Sequence, residues 1–216
     1  MNNPLVNWPE TLTITQEQFQ KIAASNRDLR LEKTAQGELI IMPPTGGNTG
    51  RRNLNLAGQV YIWNEKYQLG IAFDSSTAFH LPNGADRSPD VAWIRRERWE
   101  SLTPEEQDDF SPICPDFAIE LRSKTDSMKT LREKMREYLE NGLQLGWLID
   151  PKSKTVEIYR ANQEVEILHN PTHLSGENIL TDFVLDLDDP PHPPSKGGSR
   201  SPLPPLIRGV PIGGGI

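Results

Sequence analysis

Two acidic residues and one lysine carry the chemistry this chain can offer. Asp90 lies in Ser88-Pro89-Asp90-Val91-Ala92-Trp93-Ile94, and Glu120 in Pro115-Asp116-Phe117-Ala118-Ile119-Glu120-Leu121-Arg122-Ser123. Both runs read as buried strands, where a carboxylate is costly unless a cation or hydrogen bonds compensate it. A helix with Lys134 in its middle follows Glu120, and then an apolar strand over 145–149. Two carboxylates on neighbouring strands plus a lysine suffice for metal-assisted hydrolysis of a phosphodiester.

Strand geometry decides which acids can cooperate. Asp116 and Glu120 share a face but stand about 13 Å apart along an extended strand, too far to hold one ion. Asp90 comes from another strand, and neighbouring strands are about 5 Å apart, so Asp90 and Glu120 can converge. Taken singly, Asp90 reads as a turn cap after proline, while for Glu120 a surface acid on an edge strand is the lesser reading.

Three basic residues compete for the activating role. Arg122 is two residues beyond Glu120 on the same face, and Lys124 is four beyond, near the solvated strand exit. On the helix, Met128, Leu131, Met135, Tyr138 and Leu139 form the buried stripe. Lys134 falls roughly 80° from its centre, while Lys129 points almost opposite. Lys134 can therefore reach over the sheet, or snorkel to water as a flanking residue that adds little packing.

The positioning elements follow from periodicity and breakers. Thr15 with Gln18 caps a helix to Asn26 whose Phe19, Ile22 and Ala23 share a face. Residues 29–32 and 38–42 form a hairpin, which Pro43-Pro44-Thr45-Gly46-Gly47 breaks. A helix over 48–68 is ended by Gly70. Strands follow at 71–74, 77–81 and 89–94, with a turn at Pro82-Asn83-Gly84. Residues 95–109 form a charged surface helix that restarts at Thr103-Pro104-Glu105-Glu106. Then come a central strand at 117–121, the helix 127–141 stopped by Gly142, and the strand 145–149. A hairpin at 155–159 and 164–168 and a last partly paired strand at 178–187 complete the order. That order is an α/β or α+β sandwich built on one mixed sheet.

Composition bounds the rest. A chain of 216 residues predicts one domain, 1–189, followed by a disordered Pro/Gly/Ser-rich tail at 190–216 with polyproline character at 202–205. Residues 1–189 carry 20 basic and 30 acidic groups, a net charge of −10, which argues against a protein that coats nucleic acid nonspecifically. The four histidines show no metal-ligand spacing, and no Walker loop, GxGxxG or GxSxG occurs. Gly46-Gly47 and Gly50 could mark a phosphate-facing helix start, but a plain connecting loop is favoured. The lone Cys114, the lack of a long apolar run and the absence of a signal pattern in Met1–Pro9 predict a cytoplasmic protein with no membrane span.

Five stretches occur in an order that resembles a known family: Gly37-Glu-Leu-Ile-Ile-Met-Pro-Pro44, Ser88-Pro-Asp-Val-Ala-Trp93, Pro115-Asp-Phe-Ala-Ile-Glu-Leu-Arg-Ser123, Lys134-Met-Arg-Glu-Tyr138 and Gly146-Trp-Leu-Ile-Asp-Pro151. They resemble the Uma-two family of restriction-endonuclease-like proteins, common in cyanobacteria and part of the PD-(D/E)XK nuclease superfamily. The resemblance covers about residues 10–188. It implies a restriction-endonuclease-like αβββαβ core with a mixed central sheet, an added N-terminal helix and hairpin, and a C-terminal hairpin. It also implies a divalent metal, Mg²⁺ or Mn²⁺, with Asp90 at the first acidic position and Glu120 at the second. Glu32, ahead of the hairpin, resembles an N-terminal acid of the family. Where the superfamily places a lysine two residues after the second acid, this chain has Arg122, which stays protonated and is a poor proton acceptor. In the family that lysine moves to the helix, which Lys134 matches. The tail has no counterpart in the family pattern.

The expectation is a Mg²⁺- or Mn²⁺-dependent DNA endonuclease. Asp90 and Glu120 hold the metal, with the Leu121 carbonyl as a further ligand. Lys134 orients or helps deprotonate the attacking water and steadies the growing negative charge. Glu32, Arg122 and Lys124 are accessory, and analogy suggests a homodimer. The alternative is a catalytically weak or inactive nucleic-acid-binding or regulatory module on the same fold, favoured by the net charge and by Arg122. An interaction protein recruited through its proline-rich tail is a third reading.

Overall fold

Thr15 Oγ1 accepts a hydrogen bond from Gln18 N and Gln18 Oε1 accepts one from Thr15 N, so a closed capping box starts α1 (Gln16–Ser25), which buries Phe19. This computed structural model describes residues 13–187; the expectations for Met1–Pro9 and for the tail at 190–216 lie outside them. The hairpin is β1 (Arg30–Lys33) against β2 (Leu39–Met42), so Glu32 sits within its first strand rather than ahead of it. Next, α2 (Gly47–Tyr67) ends at Gln68, whose left-handed φ of 55° lets its N–H reach the Asn64 carbonyl. Gly70 is therefore not the cap. It opens β3 (Gly70–Asp74), and a Cβ there would collide with the Ile94 carbonyl and the Trp93 indole. Gly70→Ala should destabilise the fold by about 2 kcal/mol or more through this overpacking, measured by urea denaturation.

Two short strands, β4 (Phe79–His80) and β5 (Asp86–Arg87), precede β6 (Val91–Arg95). The charged stretch splits into α3 (Arg96–Glu100) and α4 (Pro104–Asp108), the latter capped by Thr103 with Glu106. Then follow β7 (Phe117–Leu121), α5 (Met128–Glu140), β8 (Leu145–Asp150), β9 (Thr155–Arg160) and β10 (Glu166–His169). The chain closes on β11 (His173–Ser175) and β12 (Val184–Asp186), which pair with each other.

The strands of the described residues form three sheets, not one. A six-stranded mixed sheet runs β10-β9-β8-β7-β6-β3, with β7 and β8 parallel across the α5 connection. The hairpin joins β5 and β4 in a separate four-stranded sheet through Lys33↔Asp86, where Lys33 Nζ also stands 3.1 Å from the buried Asp86 carboxylate. Pro89 lacks an N–H to continue a ladder, and the chain passes from the small sheet to the large one across Ser88-Pro89-Asp90. The central sheet is covered on both faces. Phe117, Ile119 and Leu121 pack with Trp147, Val60 and Trp63 on the α2 side, while Ala118 joins Met135 and Tyr138 of α5 on the other. Glu120 shares the parity of Ala118, so it faces α5.

Candidate active site

The antiparallel register Val91↔Ile119, carried one residue further, sets Asp90 opposite Glu120. Asp90 Oδ2 accepts the Leu121 N–H at 2.8 Å, and Oδ1 accepts from Asn53 Nδ2 of α2 at 2.8 Å. Glu120 belongs to an interior strand and is buried, which removes its reading as an edge-strand surface acid. Its Oε1 accepts from Tyr138 Oη at 2.9 Å and lies 2.8 Å from Lys134 Nζ.

Lys134 does not snorkel. It is 8 % exposed, and its ammonium also reaches Glu32 Oε1 at 2.8 Å, joining β1, β7 and α5. Glu32 in turn accepts from Ser88 N at 2.9 Å and from Arg87 Nη1 at 3.2 Å. The backbone N–H of Ser88 thus ties the sheet-switching link to the acid that orients the lysine.

The charges are uneven. Burial raises the Glu32 carboxyl, but Lys134 and Arg87 outweigh it and hold it below the ordinary range. For Asp90 burial wins over the Leu121 N–H and the charges of Lys134 and Arg30, so its carboxyl is raised. Glu120 is pushed up to about 7 by burial, with Lys134 opposing and Asp90 adding to the rise. Burial works against the Lys134 ammonium, yet Glu120 and Glu32 hold its pKa well above the ordinary lysine value. An ammonium held in this way favours the electrostatic role of Lys134 over the deprotonating one.

Asp90 and Glu120 are therefore the two carboxylates of this centre whose burial outweighs the positive charge around them. Among the described residues Asn53 Oδ1, on the amide that donates to Asp90, is buried without a hydrogen-bond partner. Two carboxylates beside the neutral oxygen of Asn53 suit a hard cation such as Mg²⁺ or Mn²⁺, and the described residues hold no group of three or more histidine, cysteine, aspartate or glutamate side chains that could bind a metal. The donor set fits the metal.

The remaining expected residues fall at different distances from this centre. Arg122 Nη1 is held by Asp150 at 2.7 Å and its Nε donates to the Asp126 carbonyl, so it is tied away from the acids. Lys124 is exposed and lines the rim of a cleft of about 1040 Å³ that also contains Glu32, Asp90, Glu120 and Lys134. Gly46 and Gly47, at the start of α2, border the same cleft. Asp116 instead accepts from Arg95 N at 2.9 Å and pairs with Arg98. Sequence reasoning missed Asn53, Arg87 and the polar role of Tyr138. The last had a signal, because Tyr138 stands one helical turn beyond Lys134.

The Uma2 family, described as "Putative restriction endonuclease", matches residues 16–188. The crystal structure of a "putative nuclease belonging to DUF820" from Anabaena variabilis superposes with a TM-score of 0.69 and 23% identity, over 80% of this chain and 94% of that one. At that identity the likeness speaks for the fold. No curated protein matches. No helix among the described residues is long and apolar enough to cross a membrane. Because the family match runs from the start of α1 past the end of β12, taking in both sheets that flank the acidic cleft, this chain belongs to the Uma2 family.

Proposed function

We propose that this protein is a Mg²⁺- or Mn²⁺-dependent endonuclease that cuts DNA, active as a cytoplasmic homodimer. The observation that carries the reading is Asp90 opposite Glu120, both raised by burial, with the Lys134 ammonium 2.8 Å from Glu120. Asp90 and Glu120 would hold the cation, with the Leu121 carbonyl as a further donor. When bound, the cation supplies a Lewis acid and an activated water. Lys134, fixed as an ammonium by Glu32, presents positive charge where the phosphate gains negative charge. Glu32 is a positioning residue, Lys124 a rim contact for the polyanion, and Arg122 a strut to Asp150.

The cleft is lined by seven carboxylates against four cationic side chains. A polyanion cannot settle there unless cations offset the excess. DNA binding should therefore need a divalent ion: mobility shifts with Ca²⁺ should vanish on chelation, and binding that survives chelation would count against the site.

The deciding experiment is supercoiled plasmid with Mn²⁺, incubated with wild type, Asp90→Ala and Glu120→Ala. Nicking by wild type alone supports the reading, and equal nicking by all three overturns it. A non-catalytic nucleic-acid-binding module has one observation in its favour: Arg122, at the superfamily's lysine position, is tied to Asp150. Mn²⁺ binding that depends on Asp90, without any cleavage, would select that module.

A further inference from the structure

Arg30 sits two residues before Glu32 on β1, shares its face of the strand and lines the same cleft. Its guanidinium is unlike others in the structure. Arg132 uses Nε and Nη2, the side-on edge of the fork, to hold Glu157 at 2.9 and 2.6 Å. Arg87, Arg98, Arg122 and Arg160 each pair with an acid. In Arg30 the same two atoms, Nε and Nη2, are buried and hydrogen-bond to nothing. A guanidinium does not lose its proton, so buried donors without an acceptor are costly. Asp90 feels the charge of Arg30 but accepts from Asn53 and Leu121 and from neither of these atoms.

We propose that the Nε–Nη2 edge of Arg30 is a phosphate fork, which turns out into the cleft that Arg30 lines and there takes the two non-bridging oxygens of one backbone phosphate of the nucleic acid beside the bond held at Asp90 and Glu120. The inference rests on the nuclease reading and deepens it. Two parallel N–H donors match the spacing of two phosphate oxygens, and a lysine cannot reproduce that match. A cleft crowded with carboxylates is a poor place for an acidic ligand unless a cation is built in to meet it. Arg30 supplies that cation on the β1 side, while the uncapped start of α2 adds some positive potential.

The test uses the full chain with Ca²⁺ in place of Mg²⁺ or Mn²⁺, and four proteins: wild type, Arg30→Gln, Arg30→Lys and Lys124→Ala. Binding of a fluorescein-labelled DNA duplex is followed by anisotropy over a salt series. Thermal shifts are read with deoxythymidine 3′,5′-bisphosphate. Arg30→Gln should bind DNA about tenfold or more weakly, with a salt slope lower by about one, and should lose the bisphosphate shift. Arg30→Lys should keep the slope yet stay several-fold weaker, for lack of the fork. This comparison also decides the matter if Arg30→Gln does not fold. Lys124→Ala should lose less affinity than Arg30→Gln. Arg30→Gln or Arg30→Lys matching wild type in both assays, while cleavage still depends on Asp90, would overturn the fork and leave the nuclease standing. A bisphosphate shift lost in Arg30→Gln, without cleavage by any of the proteins under Mn²⁺, would keep the fork and sink the nuclease.

Discussion

Lys134→Met should lower the cleavage rate by about 10²-fold or more, the scale of one positioned electrostatic group, and should also lower the melting temperature. As a flanking residue the lysine would have mattered little to stability. The structure places its ammonium, 8 % exposed, 2.8 Å from both Glu32 and Glu120. Removing one partner of a buried ion pair costs about 3–5 kcal/mol, because the remaining charge has neither water nor counterion. Glu120 can relieve part of that by taking a proton, since its pKa is already about 7. The relief fades as pH rises, so the stability gap between variant and wild type should widen from mildly acid to mildly alkaline solution. Methionine keeps the stem packed against Tyr138, which isolates the charge. Lys124→Ala, at the exposed rim, should change neither stability nor rate by much. The assignment fails if Lys134→Met cleaves like wild type while Lys124→Ala is inactive.

The sequence was most readable where chemistry is local. The Thr15 and Thr103 capping boxes, the break at Pro43–Gly47 and the stop at Gly142 mark element ends through neighbouring residues, and the observed helices follow them. Asp90 facing Glu120 was legible because strand spacing alone allows it. Long-range pairing was not. Asn53 meets Asp90 across 37 residues and Lys134 meets Glu32 across 102, and nothing near either residue announces its partner. The split into three sheets was hidden for the same reason: two-residue strands such as β4 and β5 have no periodicity to read. Gly70 looked like a helix stop because a glycine after a helix usually is one. Its real constraint, the approach of Trp93 and Ile94, comes from a strand more than 20 residues away.

Metal affinity should fall about tenfold for each pH unit below about 7, and Glu120→Gln should both weaken it by about 10²-fold or more and flatten that dependence. A cation needs the Glu120 carboxylate, but burial, with the Asp90 and Glu32 charges adding to it, pushes that carboxyl up to about 7. Below that pH each ion that binds displaces one proton, which sets the tenfold slope. The same shift governs stability. A carboxyl whose folded pKa lies above its unfolded value contributes stability that is full below about 4.5 and is lost as pH rises through about 7. A bound cation replaces the missing proton, so the gain in melting temperature from Mn²⁺ should grow across that window rather than shrink. Asp90→Asn should bind metal weakly too, yet keep a pH dependence displaced downward, because one of the charges that raises Glu120 is gone. Calorimetric titration in two buffers of different ionisation enthalpy would count the released protons directly. Affinity that holds constant from about pH 5.5 to 8 in wild type would show that Glu120 is not a ligand.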